Sequence, residues 1–209
     1  PNAPSGASSG IQEIVFEGTV TLPPCSDYVF SYAENARSAS IVTISTPGTE
    51  DVYVEAFLNS VDAPCNSSPQ FDLPARGIIC VNQENVMIHT ATDFDGDSLV
   101  YSLYAPLTGP GTPVNYLGVY TFASPVQNNY LTLNTEGEIT VFPTEQTITL
   151  LGVKVDEYRN GVKIGYATRD LQIRVLNCGN AQPNLTPMGF TNPGPSVDSL
   201  DSNSVAICI

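Results

Sequence analysis

The stretch "VKVDEYRNGVKIGYATR", residues 153 to 169, points directly to the fold class of this chain. Asn160 and Gly161 stand at its centre. Asn-Gly is the dipeptide that a two-residue type I′ hairpin turn prefers, because both central residues of that turn need a positive φ. Apolar and polar residues alternate around the dipeptide, which is the period of a β-strand with one buried face. The stretch therefore predicts two antiparallel strands joined by a tight turn.

The same two-residue period recurs along most of the chain, whereas helical periodicity is almost absent. Such runs, separated by turn-forming residues, predict many short strands, and that density of short strands is typical of β-sandwiches. We therefore expect an all-β protein made of tandem β-sandwich domains. The predicted strands occupy residues 13–22, 27–33, 36–45, 51–59, 77–82, 85–91, 98–104, 115–122, 130–134, 138–143, 147–158, 161–169 and 171–177.

Changes in composition divide the chain into five parts. Residues 1–10 and the Pro- and Ser-rich stretch 66–76 have the composition of linkers. Between and after them we predict a first β-sandwich domain at 11–65, with some of its strands expected upstream, and a second at 77–178. Residues 179–209 return to linker composition, and their final "VAIC" echoes the "GIIC" that opens the second domain, which predicts the start of a following repeat.

The charge of the chain excludes two classes of partner. Seven Lys and Arg residues stand against 21 Asp and Glu residues, which gives a formal net charge of -14. Such a surface repels nucleic acid and anionic membranes and attracts cations. Because no stretch approaches the roughly 20 apolar residues that span a bilayer, we also expect no membrane insertion.

Five cysteines lie far apart in the sequence. They form no C-x-x-C pair and only one His accompanies them, which argues against structural zinc and favours disulfides in an oxidising compartment. The first and last strands of a sandwich are often neighbours, so we predict a bond between Cys80 and Cys178. Cys25 and Cys65 then remain for the first domain and Cys208 for a following repeat, although spacing alone does not fix connectivity.

The stretch "ATDFDGDSLVYSL", residues 91 to 103, carries Asp93, Asp95 and Asp97 around Gly96. Asp95-Gly96 is a strong hairpin signal, so the loop can be a solvated turn. However, three carboxylates so close together repel one another by about 1 kcal/mol per pair at a protein surface, and no Lys or Arg nearby in the sequence compensates them. A hairpin turn and a cation site therefore both remain open interpretations.

Calcium is the cation that such a loop would bind. It takes six to eight oxygen ligands from flexible loops, and D-x-D-G-D supplies alternating carboxylates without the spacing of an EF-hand. Asn66, Glu84 and the neighbouring acids Asp156 and Glu157 are remote in sequence but could complete the shell at one end of a sandwich. The predicted ligand set is Asp93, Asp95, Asp97, Asn66, Glu84 and Asp156.

The sequence lacks the usual signatures of three enzyme classes. G-x-S-x-G, the P-loop and H-E-x-x-H are all missing, and His89, alone in "NVMIHTA", is interpreted as an ordinary strand residue. Asp156 and Glu157 are paired acids, but neighbours on a strand point to opposite faces, so they do not converge on one bond. We therefore expect no enzyme.

Aromatic residues suggest a second interpretation. Ten Tyr and eight Phe residues could form sugar-stacking platforms, although runs such as "LVYSLY" have the spacing of core or cross-strand pairs and Trp is absent. An exposed row of rings would favour a carbohydrate-binding module of a secreted protein, and rings buried between sheets would exclude it. A carbohydrate-binding module is therefore one of two functions that the sequence leaves open.

Several motifs together resemble a known family. "NSSPQF", "ATDFDGDSLVYSL" and "LNTEGEITVFP" are similar to bacterial cadherin-like repeats. Together with "FEGTVTLPPCSDYVFSY" and "VDEYRNGVKIGYATRDLQIRVLNC" they resemble repeats of very large Bacteroidetes cell-surface adhesins, the SprB-like gliding-motility group. The resemblance covers most of residues 15 to 178, and the block from "DEYRNG" to "VLNC" is its most specific part.

This resemblance implies an exported, extracellular segment of a cell-surface adhesin, built from Ig-like or cadherin-like sandwiches. Its partners would be neighbouring repeats of the same chain, with surface polysaccharide or the motility and secretion machinery as further expectations. In cadherin-like repeats the aspartates of the D-x-D turn bind calcium, which here implies Asp93 and Asp95. The chain departs from animal cadherins in its linker, "CNSSP", and in the short distance from Glu84 to Asp93.

Overall fold

The computed structural model describes residues 14–127 and 130–179 of the chain. They form an all-β fold, as predicted. Of the predicted segments, the linker at 1–10 and the repeat start with Cys208 lie outside the described residues. The elements are β1 (Tyr28–Glu34), a 3-10 helix (Pro47–Thr49), β2 (Val52–Leu58), β3 (Gln70–Phe71), β4 (Ile78–Cys80), β5 (Asn85–Ile88), β6 (Ala91–Thr92), β7 (Ser98–Tyr104), β8 (Leu107–Gly109), β9 (Thr112–Pro113), β10 (Leu131–Leu133), β11 (Glu138–Val141), β12 (Thr147–Arg159) and β13 (Val162–Leu176).

The hairpin of β12 and β13 is the longest paired unit. The two strands have 13 and 15 residues and pair from Thr147↔Val175 to Arg159↔Val162. Asn160 and Gly161 have φ values of 52° and 80°, so the type I′ turn predicted from the sequence is confirmed. A register shift between Glu157 and Tyr158 places a β-bulge directly before this turn.

The hairpin organises an eight-stranded sheet. Its path runs β7-β12-β13-β2-β8-β9, with β1 paired to β2 and β4 paired in parallel to β13. A second sheet has the order β10-β11-β5, and β3 and β6 form a two-stranded ribbon. The main core lies between the eight-stranded sheet and the second sheet, where Leu151, Val153 and Ile173 pack against Met87 and Ile139. This packing is consistent with a β-sandwich, while the Ig-like or cadherin-like type stays a prediction.

The other face of the eight-stranded sheet is covered by two long loops. Ile41, Ile44 and Val114 from these loops pack on Leu150 of β12. Beside them Arg37 donates to Asp170 of β13 at 2.6 Å, and both side chains are at most 3 % exposed. Burial raises the pKa of Asp170, and the hydrogen bond from Arg37 opposes that shift. This ion pair fixes the loop that follows β1 onto the sheet.

The predicted division into two sandwiches does not hold for the described residues. β2 belongs to the predicted first domain, 11–65, yet its residues Ala56, Phe57 and Leu58 pair with residues 165–167 of β13. The stretch 66–76 is therefore not a linker between two separate sheets, and within it Gln70 and Phe71 pair with β6. Because β13 is long, β4 covers one end of its second edge and the other end takes β2.

Three predicted strands are largely loops in the structure. Residues 14–22, the described part of the first, form no strand, and residues 36–45 and 115–122 contribute only isolated bridges such as Ile44↔Tyr116. In residues 36–45, Ile41 and Ile44 are buried because they cover the sheet. In residues 115–122, Leu117 and Val119 are 44 % and 70 % exposed, so the alternation there indicates neither burial nor strand pairing. No helix in the described part of the chain is long and apolar enough to cross a membrane.

The disulfide prediction is half right. Cys80 of β4 and Cys178, just beyond β13, form a disulfide with their Cα atoms 5.5 Å apart, because the parallel pairing of β4 with β13 brings them together. Cys25 and Cys65 are free. The Cys25 thiol instead donates to Asp27 Oδ1 at 3.0 Å, while Cys65 is exposed. The predicted bond between these two cysteines is therefore not formed.

Removal of the Cys80–Cys178 bond should destabilise the protein strongly. The bond closes a loop with a sequence separation of 98 residues, and a loop of that length corresponds to about 4 kcal/mol of unfolding free energy. We expect the double variant Cys80→Ser and Cys178→Ser to lose about this amount in urea denaturation. Cys25→Ser with Cys65→Ser is the matched control and should change stability by less than about 1 kcal/mol; equal losses in the two variants would contradict the assignment.

Candidate metal site

The loop between β6 and β7 is an aspartate-centred turn that links two sheets. Asp93 Oδ1 accepts the backbone N–H groups of Asp95 at 3.0 Å and Asp97 at 2.9 Å, and Gly96 has a φ of 81°. β6 pairs with β3 whereas β7 pairs with β12, so the predicted turn exists but the predicted hairpin does not. The aspartate side chains therefore shape a crossing between sheets.

The three aspartates converge. One carboxylate oxygen from each of Asp93, Asp95 and Asp97 lies within 4.8 Å of the other two. Oxygen ligands of calcium lie about 2.4 Å from the ion, so two ligands of one ion are at most about 5 Å apart. The cluster can therefore hold a metal ion.

Arg159, at the end of β12, supplies the positive charge that is missing from the neighbouring sequence. Its guanidinium donates to both oxygens of Asp97, at 2.9 and 2.6 Å, and lies 3.7 Å from Asp95 Oδ2. A third hydrogen bond, of 2.8 Å, reaches Asn66 Oδ1. The hydrogen bonds from Arg159 lower the pKa of Asp97, whose side chain is only 6 % exposed. Arg159 thus compensates Asp97 and part of the charge of Asp95.

Glu157 is the acid that brings the largest electrostatic cost to this site. It is fully buried on β12, where Oε1 accepts a 2.7 Å hydrogen bond from Asn66 Nδ2. In the described part of the chain, Glu157 Oε2 and Asp93 Oδ2 are buried without a hydrogen-bond partner. Gly165 on β13 makes room for the glutamate, because a methyl group there would overlap Oε2. The buried acid is therefore accommodated by the packing but incompletely compensated.

Glu157 and Asp93 form a pair of carboxyl groups within hydrogen-bonding reach. Burial raises the pKa of Glu157 to about 7, with further increases from Asp93 and Asp97 and an opposing effect from Asn66. Two ionised carboxylates only accept hydrogen bonds, so such a pair needs either a shared proton or a cation between its oxygens. The arrangement provides a strongly negative, largely dehydrated position beside the three aspartates.

The structure brings Asn66 to the site but not Asp156 or Glu84. Asp156 lies on the opposite face of β12 from Glu157, where Lys154 and Lys163 pair with it. The pleat of a strand sends neighbouring side chains to opposite faces, so Asp156 and Glu157 cannot serve one site. Of the two adjacent acids, Glu157 and not Asp156 therefore lies near the three aspartates.

Glu84 lies near the other end of the hairpin. It follows β4, whose Cys80 pairs with Leu176, whereas Glu157 pairs with Gly165. The eleven residue steps along β13 from Gly165 to Leu176 span on the order of 35 Å at the rise of a β-strand. Glu84 is exposed there and is not a ligand candidate.

No family model, curated protein or solved structure was found that matches this chain. The site is therefore defined by its own geometry. It comprises Asp93, Asp95, Asp97 and Glu157 as acids, Asn66 as a bridging amide and Arg159 as the internal counter-charge.

His89 lies apart from this site and is a structural residue. Its side chain is 1 % exposed, and Nδ1 lies 3.4 Å from Arg169 Nη1. Arg169 stacks 3.8 Å from the centre of the Phe71 ring and donates to the Leu73 carbonyl. Burial, with a smaller contribution from Arg169, lowers the pKa of His89 to about 4. The imidazole is therefore neutral near pH 7.

Replacement of Arg159 should destabilise the loop. In Arg159→Met the carboxylate of Asp97 loses its charged partner and two hydrogen bonds. We expect urea denaturation in the presence of EDTA to show a lower unfolding midpoint than that of the original protein. Arg76→Met removes an exposed arginine from the 66–76 stretch and should leave stability within about 0.5 kcal/mol of the original. An unchanged Arg159→Met protein would show that the guanidinium does not stabilise the loop.

Acid should destabilise the protein through His89. The folded state keeps this imidazole neutral, whereas the unfolded chain protonates it below about pH 6.5. Stability should therefore decrease as the pH falls from about 6.5 towards 4, by about 3 kcal/mol from this group alone. The measurement is the unfolding free energy at pH 7 and pH 4.5 for the original protein and for His89→Gln.

The Gln variant lacks the titrating group, so it should lose less stability over this pH range. Glu157 is present in both proteins, and its own titration cancels in the comparison. Equal pH dependence of the two proteins would contradict the low pKa of His89.

Proposed function

We propose that this chain is a non-enzymatic structural segment of an exported cell-surface adhesin, in which calcium fastens the acidic loop to the central hairpin. The observation that carries this proposal is Glu157, a fully buried acid whose carboxyl group lies within hydrogen-bonding reach of that of Asp93, each of the two having one unpartnered oxygen. A buried charge normally needs a partner or a metal. A divalent cation between these oxygens would supply one.

The ligands would come from elements that are distant in sequence. Asp93, Asp95 and Asp97 belong to the turn between the sheets, Glu157 to β12, and Asn66 to the crossing between β2 and β3. Their oxygens are of the kind that calcium prefers, and modules outside the cell bind calcium with dissociation constants of about 0.1 to 1 mM. To expose Asp97 and Asn66 fully, Arg159 would turn outward from the loop. Such an ion would connect three separate parts of the chain.

The positions of the disulfide and of the acidic loop suit a mechanical role. The Cys80–Cys178 bond lies at one end of β13, and the acidic loop lies near the turn at the other end. Between them run the ladders that β13 shares with β12, β2 and β4. A pulling force applied along the chain would be resisted by the disulfide at one end of the hairpin and by the calcium-bound loop at the other. The resemblance to large surface adhesins and the charge of -14 agree with such an extracellular role.

Calcium should raise the melting temperature through Glu157. At a calcium concentration ten times the dissociation constant, an ion that binds only the folded state contributes about 1.4 kcal/mol, which corresponds to about 5 °C for a domain of this size. We expect this shift between EDTA and calcium for the original protein. Glu157→Gln should melt higher than the original in EDTA, because a buried charge is removed, and should show little response to calcium.

Glu84→Gln is the matched control, since it removes an exposed acid far from the loop and should keep the full calcium shift. Magnesium at the same concentration tests selectivity, because it tolerates the irregular geometry of such loops less well. A calcium shift that survives in Glu157→Gln, or the absence of any shift in the original protein, would refute the calcium-bound loop.

A carbohydrate-binding module is the second candidate function. It is favoured by aromatic rings on β1, where Phe30 and Tyr32 are 43 % and 42 % exposed. An exposed row of aromatic rings is the feature expected from the sequence for a glycan-binding module and not for a purely structural one.

A further inference from the structure

β1 carries a row of aromatic side chains on one face. Tyr28, Phe30 and Tyr32 alternate along the strand and therefore point to the same side. The centres of the Tyr28 and Phe30 rings lie 5.9 Å apart. Phe16, from the segment before β1, stacks on Tyr32 with a centroid distance of 5.3 Å and is itself 72 % exposed. The four rings thus form two pairs, with Tyr28 half-buried and the other three rings exposed, and we call them the aromatic face.

The aromatic face lies on the same side of the eight-stranded sheet as the main core, but on the edge strand β1, outside that core. Through the pairings of β1 with β2 and of β2 with β13, Phe30 lies on the same side as Ala56 and Ala167. Ala167 in turn pairs with Val155, which is fully buried. Burial on this side of the sheet decreases from β12 towards β1, and every residue of β1 after Tyr28 is exposed. Exposed apolar area of this extent is typical of binding surfaces.

The polar groups around the aromatic face define the chemistry of its ligand. Glu34 accepts a 2.5 Å hydrogen bond from the Tyr32 hydroxyl, and Asp27 is close enough to the Tyr28 hydroxyl to act on it electrostatically. Carboxylates accept hydrogen bonds and repel anions, so the surface excludes nucleic acid, anionic lipids and acidic polysaccharides. A ligand with apolar flat faces and many hydroxyl donors satisfies both the rings and the acids.

We propose that the aromatic face binds an uncharged glycan chain. The C–H faces of β-linked pyranose rings would stack on Tyr28, Phe30 and Tyr32, and the sugar hydroxyls would donate to the flanking carboxylates. Tyr suits this role because it combines an apolar ring with a polar edge. The inference goes beyond the structural function proposed above, and the acidic loop contributes no residue to it.

The test is isothermal titration with neutral β-linked hexasaccharides, namely cellohexaose, mannohexaose and xylohexaose, on the chain as it stands. At least one should bind, and Phe30→Ala and Tyr32→Ala should each weaken that binding tenfold or more. Val29→Ser is the matched control, since Val29 is 52 % exposed on the opposite face of the same strand. It should leave the dissociation constant within twofold of the original.

Two further measurements separate the alternatives. Titrations in calcium and in EDTA should give the same affinity, so a failed calcium prediction leaves this one standing, and the reverse also holds. Sedimentation of the free protein identifies a competing occupant: a dimer that Phe30→Ala dissociates would assign the face to a second copy and overturn the proposal. Failure of all three hexasaccharides to bind, or equal binding by Phe30→Ala, would also overturn it.

Discussion

The ladder between β12 and β13 is the constraint on which the rest of the structure depends. Its two strands are longer than any others described, and each uses its outer edge for further pairing, β12 with β7 and β13 with β2 and β4. Because the Asn160-Gly161 turn fixes the register, it also fixes which residues meet across the sheet. The β-bulge before the turn then shifts the register by one residue, so that Glu157 pairs with Gly165, and the pairing of β4 with the far end of β13 brings Cys80 to Cys178.

The fold was predictable to the extent that its signals are local. Alternation and turn residues located β1, β2, β7 and the central hairpin, because each depends on neighbours in the sequence. The partner of β2 was not predictable, because pairing with β13 brings together residues more than 100 positions apart and leaves no periodic signal. The Pro- and Ser-rich stretch 66–76 has the composition of a domain linker for the same reason. Composition shows where strand periodicity stops, but it does not show with which strand the chain pairs afterwards.

The candidate site shows the same limit in its side chains. Asp93, Asp95 and Asp97 were predictable because they stand together in the sequence, and Asn66 because it begins the Pro- and Ser-rich stretch 66–76. Alternation also carried a signal that distinguishes the two adjacent acids: Leu151, Val153 and Val155 are buried on one face, and Glu157 continues that series whereas Asp156 does not. Arg159 had no such signal, because its contact with Asp97 follows from the pairing of β12 with β7.

A buried glutamate in this position requires a physical explanation. Glu157 continues an apolar face, and an apolar side chain of similar volume would avoid the cost of burying a carboxyl group beside Asp93 and Asp97. Stability alone would therefore favour another residue. Gly165, which leaves room for Oε2, and Asn66, which holds Oε1, are specific accommodations to the glutamate. A fold that accommodates a charge at this cost, next to three converging aspartates, has the electrostatic character of a cation site, because a bound ion turns the same repulsion into attraction.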